Sequence, residues 1–270
     1  MRTRLRIATT LGLLALAACG PKTEQAAQAP PAAPAAPAAP LPPLTWRNAT
    51  ADAEVSLSLP PAVGRIPALY ARLFAGGRND LQAFAEGAKG ELEERRANGE
   101  TVRPYGRSLD YAVSAETPRL LSLVLNELES TGGAHPNTTL SATVWDKQAG
   151  RMLKGPDLFA PGADMAAADK ALCDAVHAAK LARVKDPALT GELTSCPRLR
   201  AAALAVAPST VPGKAGGVIA LFSPYALGAY AEGAYRIVLP QAAVRGVLAP
   251  AYAAEFAGMP APGSDKGPES

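Results

Sequence analysis

A chain of 270 residues with 27 Lys and Arg against 24 Asp and Glu carries a net charge of only +3. Three of those cations, Arg2, Arg4 and Arg6, fall in an acid-free opening segment, so the remainder balances at 24 against 24. That balance excludes a surface built for nucleic acid, and the length suits one domain or two small subdomains sharing a core.

The opening arginines precede an apolar run, Ile7 to Ala15, which is too short for an ordinary membrane span. Leu16-Ala17-Ala18-Cys19 follows, and residues 1–18 read as an export signal. The Cys19 site resembles the lipobox of bacterial lipoproteins. The resemblance implies cleavage before Cys19, lipid on its sulfur, and a protein anchored in the cell envelope facing the periplasm. Gly20 in place of Asp resembles outer-membrane sorting. A stable anchor of this kind needs more than one acyl chain. Residues 19–44 are mostly Ala and Pro and read as an extended spacer. The folded domain is expected over 45–249, in an N-terminal part, 45–135, and a C-terminal part, 136–249. Residues 250–270, ending "PAPGSDKGPES", read as a disordered tail.

Within the domain, "EVSLSL" (54–59) alternates as a half-buried strand and stops at Pro60-Pro61. Ile66, Leu69, Tyr70, Leu73 and Phe74 recur at helical spacing. Beyond Gly76-Gly77, Asn79 can cap a second helical stretch through Leu81, Phe84, Ala88 and Leu92, so two helices or one weakened helix are expected. Leu109, Tyr111 and Val113 alternate as a strand. "RLLSLVLNELES" (119–130) fits neither period cleanly. "TTLSATVWD" (138–146) alternates again, and "DKQAG" is a turn before "RMLKGPDLF". Residues 164–186 predict a helix capped by Asp164 and stopped by Pro187. Residues 201–207 suit helix by alanine content and strand by position. "GGVIALF" and "YRIVLP" predict strands, and "QAAVRGVL" a short helix. The fold class is therefore α+β: an antiparallel meander sheet with helices packed on one face.

Catalytic machinery is hard to find in this chain. The two histidines, His135 and His177, are far apart and lack metal-ligand spacing. No nucleophile elbow, P-loop or dinucleotide fingerprint occurs, so no cofactor and no metal are expected. Cys173 and Cys196 remain after Cys19, and an even pair in an exported protein reads as a disulfide. His135 lies in "ESTGGAHPNTTL", where Gly132 and Gly133 can adopt positive φ and Pro136 narrows the return path. That connection is expected to project as a shaped surface. A general base at His135, near Glu127 and Glu129, is the enzymatic alternative.

"STGGAHPNT" with its following strand, turn and "LKGPDLF", together with "FSPYALGAYAEGAYRIVLPQAAVRGVL", resembles a known extracellular domain of unknown function. That domain occurs in RsiV, the lysozyme-sensing anti-sigma factor, and beside the catalytic domain of the peptidoglycan deacetylase PdaC. The resemblance covers about residues 54–248, with Ala226 and Ala229 departing from the family pattern. It implies an α+β fold and a non-catalytic binding module for lysozyme-type muramidases or peptidoglycan, carried on the lipid anchor without a signalling output or a deacetylase domain. Gly132, Gly133, His135, Pro224, Tyr225 and Tyr230 are the expected contact residues. The alternative is a small cell-wall hydrolase using His135. A basic lysozyme would require a local acidic patch, with Glu127, Glu129 and Asp110 as its candidates.

Overall fold

The computed structural model describes residues 40–184 and 196–266. Residues 1–39, including the predicted signal, Cys19 and most of the spacer, lie outside them. The end of the spacer belongs to the fold: Pro43 accepts a hydrogen bond from the Tyr70 hydroxyl at 2.9 Å, and Leu44 accepts one from the Leu59 amide at 2.8 Å.

Strands β1 (Thr45–Ala49), β2 (Ala53–Ser58), β3 (Tyr105–Glu116), β4 (Leu120–Ser130), β5 (Asn137–Asp146) and β6 (Arg151–Leu153) form one six-stranded sheet in chain order. All neighbouring pairs are antiparallel except β2 and β3. A parallel pair needs a crossover, and here α1 (Pro61–Gly64) and the long α2 (Pro67–Ala97) supply it. Strands β7 (Ala203–Pro208), β8 (Ala215–Phe222) and β9 (Tyr235–Pro240) form a second, antiparallel sheet. The α+β class expected from periodicity is the one observed. The 135/136 division falls inside the β4–β5 hairpin, so the sheet runs straight across it.

Each sheet carries its helices on one face. Helix α2 buries Leu69, Leu73, Leu81 and Leu92 against Val55, Leu57, Leu109, Leu121, Leu123 and Trp145. It is continuous through Gly76-Gly77. A glycine there costs about 1 kcal/mol of helix propensity, but at Gly77 a Cβ would stand 3.1 Å from the Leu57 side chain, so its absence lets the helix settle onto the sheet. Helix α3 (Ala166–Arg183) buries Ala168, Leu172 and Val176 against Leu204, Val218, Ala220 and Ile237 of the second sheet. Asp164 serves its start by accepting from the Ala166 amide at 2.9 Å.

The two sheets meet through Val124 and Leu140 on one side and Ala205, Ala207, Ile219 and Leu221 on the other. Small residues permit the close approach, but they leave strand-edge amides to be satisfied. The Val206 amide of β7 donates to the buried Ser122 hydroxyl of β4 at 2.8 Å. The Leu140 amide of β5 donates to the Ser223 hydroxyl just after β8 at 3.0 Å.

Residues 250–266 correct the disordered-tail reading. Helices α4 (Gln241–Val244) and α5 (Pro250–Ala253) follow β9, and Tyr252 and Phe256 are buried in the α3-side core. The strap beyond them bridges Ala215 to Phe256 and Ser209 to Pro260. Asp146, fully buried, anchors this segment. It accepts from the Arg119 guanidinium at 2.8 Å, from the Tyr252 hydroxyl at 3.1 Å and from the Gln148 and Ala149 amides at 3.0 Å each. Burial pushes its carboxyl upward, but the Arg119, Ala149 and Tyr252 hydrogen bonds outweigh that effect and hold it at about 2. No helix among the described residues is long and apolar enough to cross a membrane.

Two outcomes follow from these buried polar contacts. Ser122→Ala leaves the Val206 amide unpaired between the sheets and lowers unfolding stability by about 1–3 kcal/mol, measurable by urea denaturation. The Asp146 carboxylate contributes fully above its ordinary value of 3.8, and its contribution is lost as pH falls toward about 2. Asp146→Asn therefore lowers the melting temperature at neutral pH and flattens the fall in stability across that acid window; an unchanged acid profile would refute the assignment.

Candidate functional site

The β4–β5 hairpin tip, residues 131–136, is exposed throughout. Gly132 adopts φ +84°, a left-handed conformation that glycine takes without steric cost. A Cβ there would approach the Arg95 guanidinium and the Tyr105 ring, so the tip passes close over the end of α2. That support is itself fixed: the Tyr105 hydroxyl donates to Glu91 at 2.5 Å, and Arg95 donates to Tyr105 at 3.2 Å and to Glu100 at 2.9 Å. Gly133 does not share the positive φ and is an ordinary tip residue.

The other wall comes from the β8–β9 connection, residues 223–234. The Ala226 amide donates to the Ser223 carbonyl, closing a turn with Pro224 and Tyr225 at its centre. Tyr225 has φ +71°, the one positive φ at a non-glycine position among the described residues. A turn of this shape favours Pro at its second position and Gly or Asn at its third. Pro224 fits the first requirement; Tyr225 violates the second. Backbone strain at a bulky residue points to a side chain retained for its own sake, and Tyr225 is 62% exposed.

The two loops meet through aromatic rings. His135 stacks on Tyr230 with centroids 3.7 Å apart and planes 17° from parallel. Tyr225 is tilted against Tyr230 at 5.4 Å. The Tyr230 hydroxyl donates to the Pro136 carbonyl at 2.8 Å, and the Tyr225 hydroxyl lies 3.4 Å from His135 Nε2. His135 Nδ1 lies 3.1 Å from the Pro136 carbonyl. Residues ninety positions apart thus form one internally bonded platform, with His135 and Tyr225 exposed and Tyr230 half-buried. Pro224 shapes the turn without joining the stack.

A buried ionic cluster ties the same connection to α3. Lys180, though buried, donates to the Leu227 carbonyl and to the Glu232 carboxylate, the latter at 3.0 Å. The Tyr235 hydroxyl donates to Glu232 at 2.6 Å. Burial pushes the Glu232 carboxyl upward, but the bonds from Tyr235, Lys180 and the Ala229 amide prevail and hold it below its ordinary value. Burial and the neighbouring carboxylate push the Tyr235 phenol up to about 12. Arg183 donates to the Glu232 and Ala234 carbonyls and lies over the Tyr235 ring at 3.9 Å. Neither this cluster nor the Asp146 cluster carried a sequence signal, because each joins segments far apart in the chain.

The other sequence-derived residues are dispersed. Cys173 of α3 is paired with Cys196, with Cα atoms 5.2 Å apart, within the range of ordinary disulfides. His177 is exposed on α3. The candidate acidic patch does not assemble. Glu127 and Glu129 face the α2 side, where Arg107 engages them at 2.7 and 3.6 Å, while Asp110 lies on the opposite face and accepts from the Ser108 hydroxyl. Among the described residues no group of three His, Cys, Asp or Glu side chains is placed to hold a metal ion.

Residues 47–138, from β1 to the start of β5, match the family model described as deacetylase PdaC. No curated protein matches the chain. Among solved structures, a DUF3298-family protein from Bacteroides fragilis is similar at 17% identity and a TM-score of 0.53, over 75% of this chain and 88% of that one. A DUF3298-family protein from Pseudomonas aeruginosa is 19% identical with a TM-score of 0.49, over 82% of this chain and 98% of that one. The chain is thus similar to that family model over about a third of its length, and its fold is similar to that of the Bacteroides fragilis DUF3298-family protein.

Proposed function

We propose that this chain is a non-catalytic recognition module of the bacterial cell envelope. In this reading it is held by lipid on Cys19, faces the periplasm, and binds peptidoglycan or a lysozyme-type muramidase. The observation that carries the reading is the His135–Tyr225–Tyr230 platform. Its rings are fixed by stacking and by bonds across two loops, so little conformational freedom remains to be lost on binding. Rigid amphipathic aromatic rings are the side chains that most often dominate binding energy.

Charge favours peptidoglycan between the two partners. A basic muramidase is drawn to clustered free carboxylates, whereas Glu127 and Glu129 are already engaged by Arg107 on the face away from Asp110. The bonding of His135 suits a stacked contact group. Its ring nitrogens face the Pro136 carbonyl and the Tyr225 hydroxyl, and a general base needs a free nitrogen within reach of the proton it takes.

Purified sacculi are expected to sediment the folded protein. Tyr225→Gly is expected to lower retention about tenfold or more. The same substitution relieves roughly 1 kcal/mol of left-handed strain, so the melting temperature should stay level or rise slightly. Folded wild-type protein that is retained neither by sacculi nor by immobilised lysozyme would end the proposal.

A further inference from the structure

The second sheet covers only part of the outer face of the six-stranded sheet. It lies over Val124, Leu140 and Ala142 and is joined to the first sheet by the Ser122–Val206 bond. The half toward the hairpin tip stays open. Strand register lays out its residues in cross-strand rows. One row runs Ala49, Glu54, Gly106, Ser130; the next runs Arg47, Ser56, Ser108, Leu128, Thr138; a third runs Thr45, Ser58, Asp110, Asn126. A shallow groove of about 410 Å³ lies here, lined among others by Arg47, Glu54, Ser56, Ser108, Leu128 and Ser130.

This surface has a definite chemistry. It presents hydroxyls, an amide, two carboxylates and one guanidinium, so donors and acceptors are interspersed and the charges nearly cancel. Gly106 gives its floor no side chain, and Leu128, 41% exposed, adds an apolar contact. The four strands set the groove's width at roughly 14 Å. Its last row ends at Ser130, from which the chain runs directly into the tip carrying His135.

We infer that this open half-sheet is a glycan-binding face. An extended, uncharged chain of N-acetylated sugars lies across β1–β4, with hydroxyl and acetamide groups bonded to the serine and Asn126 side chains. A terminal ring rests near the His135–Tyr225–Tyr230 platform. The mix of donors and acceptors matches sugar hydroxyls, which are both. A polyanion finds Arg47 beside Glu54 here, with Asp110 in the next row and Arg107 already engaged by Asp80, Glu127 and Glu129, and an added peptide strand pairs with a sheet edge rather than with a face. The inference rests on the envelope-binding reading and names the ligand class and the second contact surface for it.

The test uses soluble N-acetylglucosamine oligomers, from dimer to hexamer, in calorimetric titration of the full protein, alongside sacculus sedimentation. The hexamer is expected to bind about tenfold tighter than the dimer, because it spans more of the groove. Ser108→Arg and Ser56→Arg each place bulk on the exposed face, and each is expected to cut oligomer binding about tenfold while leaving the melting temperature near wild type. Two positions on different strands separate loss of ligand from loss of fold. If wild type is retained by sacculi but both arginine variants bind oligomers and sacculi unchanged, the groove is not the site and the platform reading survives. Retention on sacculi with no response to any oligomer overturns the glycan assignment. Absence of retention by folded wild type removes the underlying reading as well.

Discussion

The Ser122 hydroxyl is the point on which the two sheets are registered. Strand β7 is an edge strand, and its Val206 amide faces a neighbouring sheet rather than water. A buried amide without an acceptor is costly. Ser122 supplies the acceptor, itself steadied by a hydrogen bond from Ser114 at 2.8 Å. The Leu140–Ser223 bond does the reverse, satisfying a β5 amide with a hydroxyl from the second sheet. These two directional contacts sit within an apolar layer of Val124, Leu140, Ala205, Ala207, Ile219 and Leu221, whose packing is non-directional. Once they fix the offset, the β8–β9 connection must arrive at the β4–β5 hairpin tip, and the rest of the outer face must remain uncovered.

That dependence explains which parts were legible in the sequence. Strands with one wet face, such as β2 and β9, announce themselves by alternation. Helix α3 was found because its small and apolar residues repeat at helical spacing up to a proline. Strand β4 shows no clean period because Leu120 to Val124 are all buried, which erases the two-residue alternation. Strand β7 is rich in alanine, whose local preference is helical, and tertiary packing overrides it. Strand β1 carries no sequence signal because only five residues form it and most of them are exposed. The ordered 250–266 segment was hidden by its Pro, Gly and Ala content. Two aromatic anchors, Tyr252 and Phe256, and backbone bridges do there what composition could not announce.

The site was legible in its members and illegible in its assembly. His135 and the two tyrosines stand out as an unusual loop residue and as large amphipathic groups, but nothing in their spacing says that they stack. The carboxylates suffered the opposite fate: near in sequence number, Asp110, Glu127 and Glu129 lie on opposite faces of the sheet. The β4–β5 tip falls inside the PdaC-type segment, whereas Tyr225 and Tyr230 lie beyond it. The platform therefore joins a loop from the matched segment to a loop from outside it, through the His135–Tyr230 stack and the bond from the Tyr230 hydroxyl to the Pro136 carbonyl.

The direction of β1 has a consequence of its own. Its first residue, Thr45, pairs with Ser58, while its last, Ala49, pairs with Glu54 in the row that leads to the hairpin tip. The polypeptide therefore comes into the sheet from the side remote from the aromatic rings, and Pro43 and Leu44 are fastened there by Tyr70 and Leu59. Within the described residues, the point where the chain joins the sheet and the aromatic rings thus lie toward opposite ends of β2.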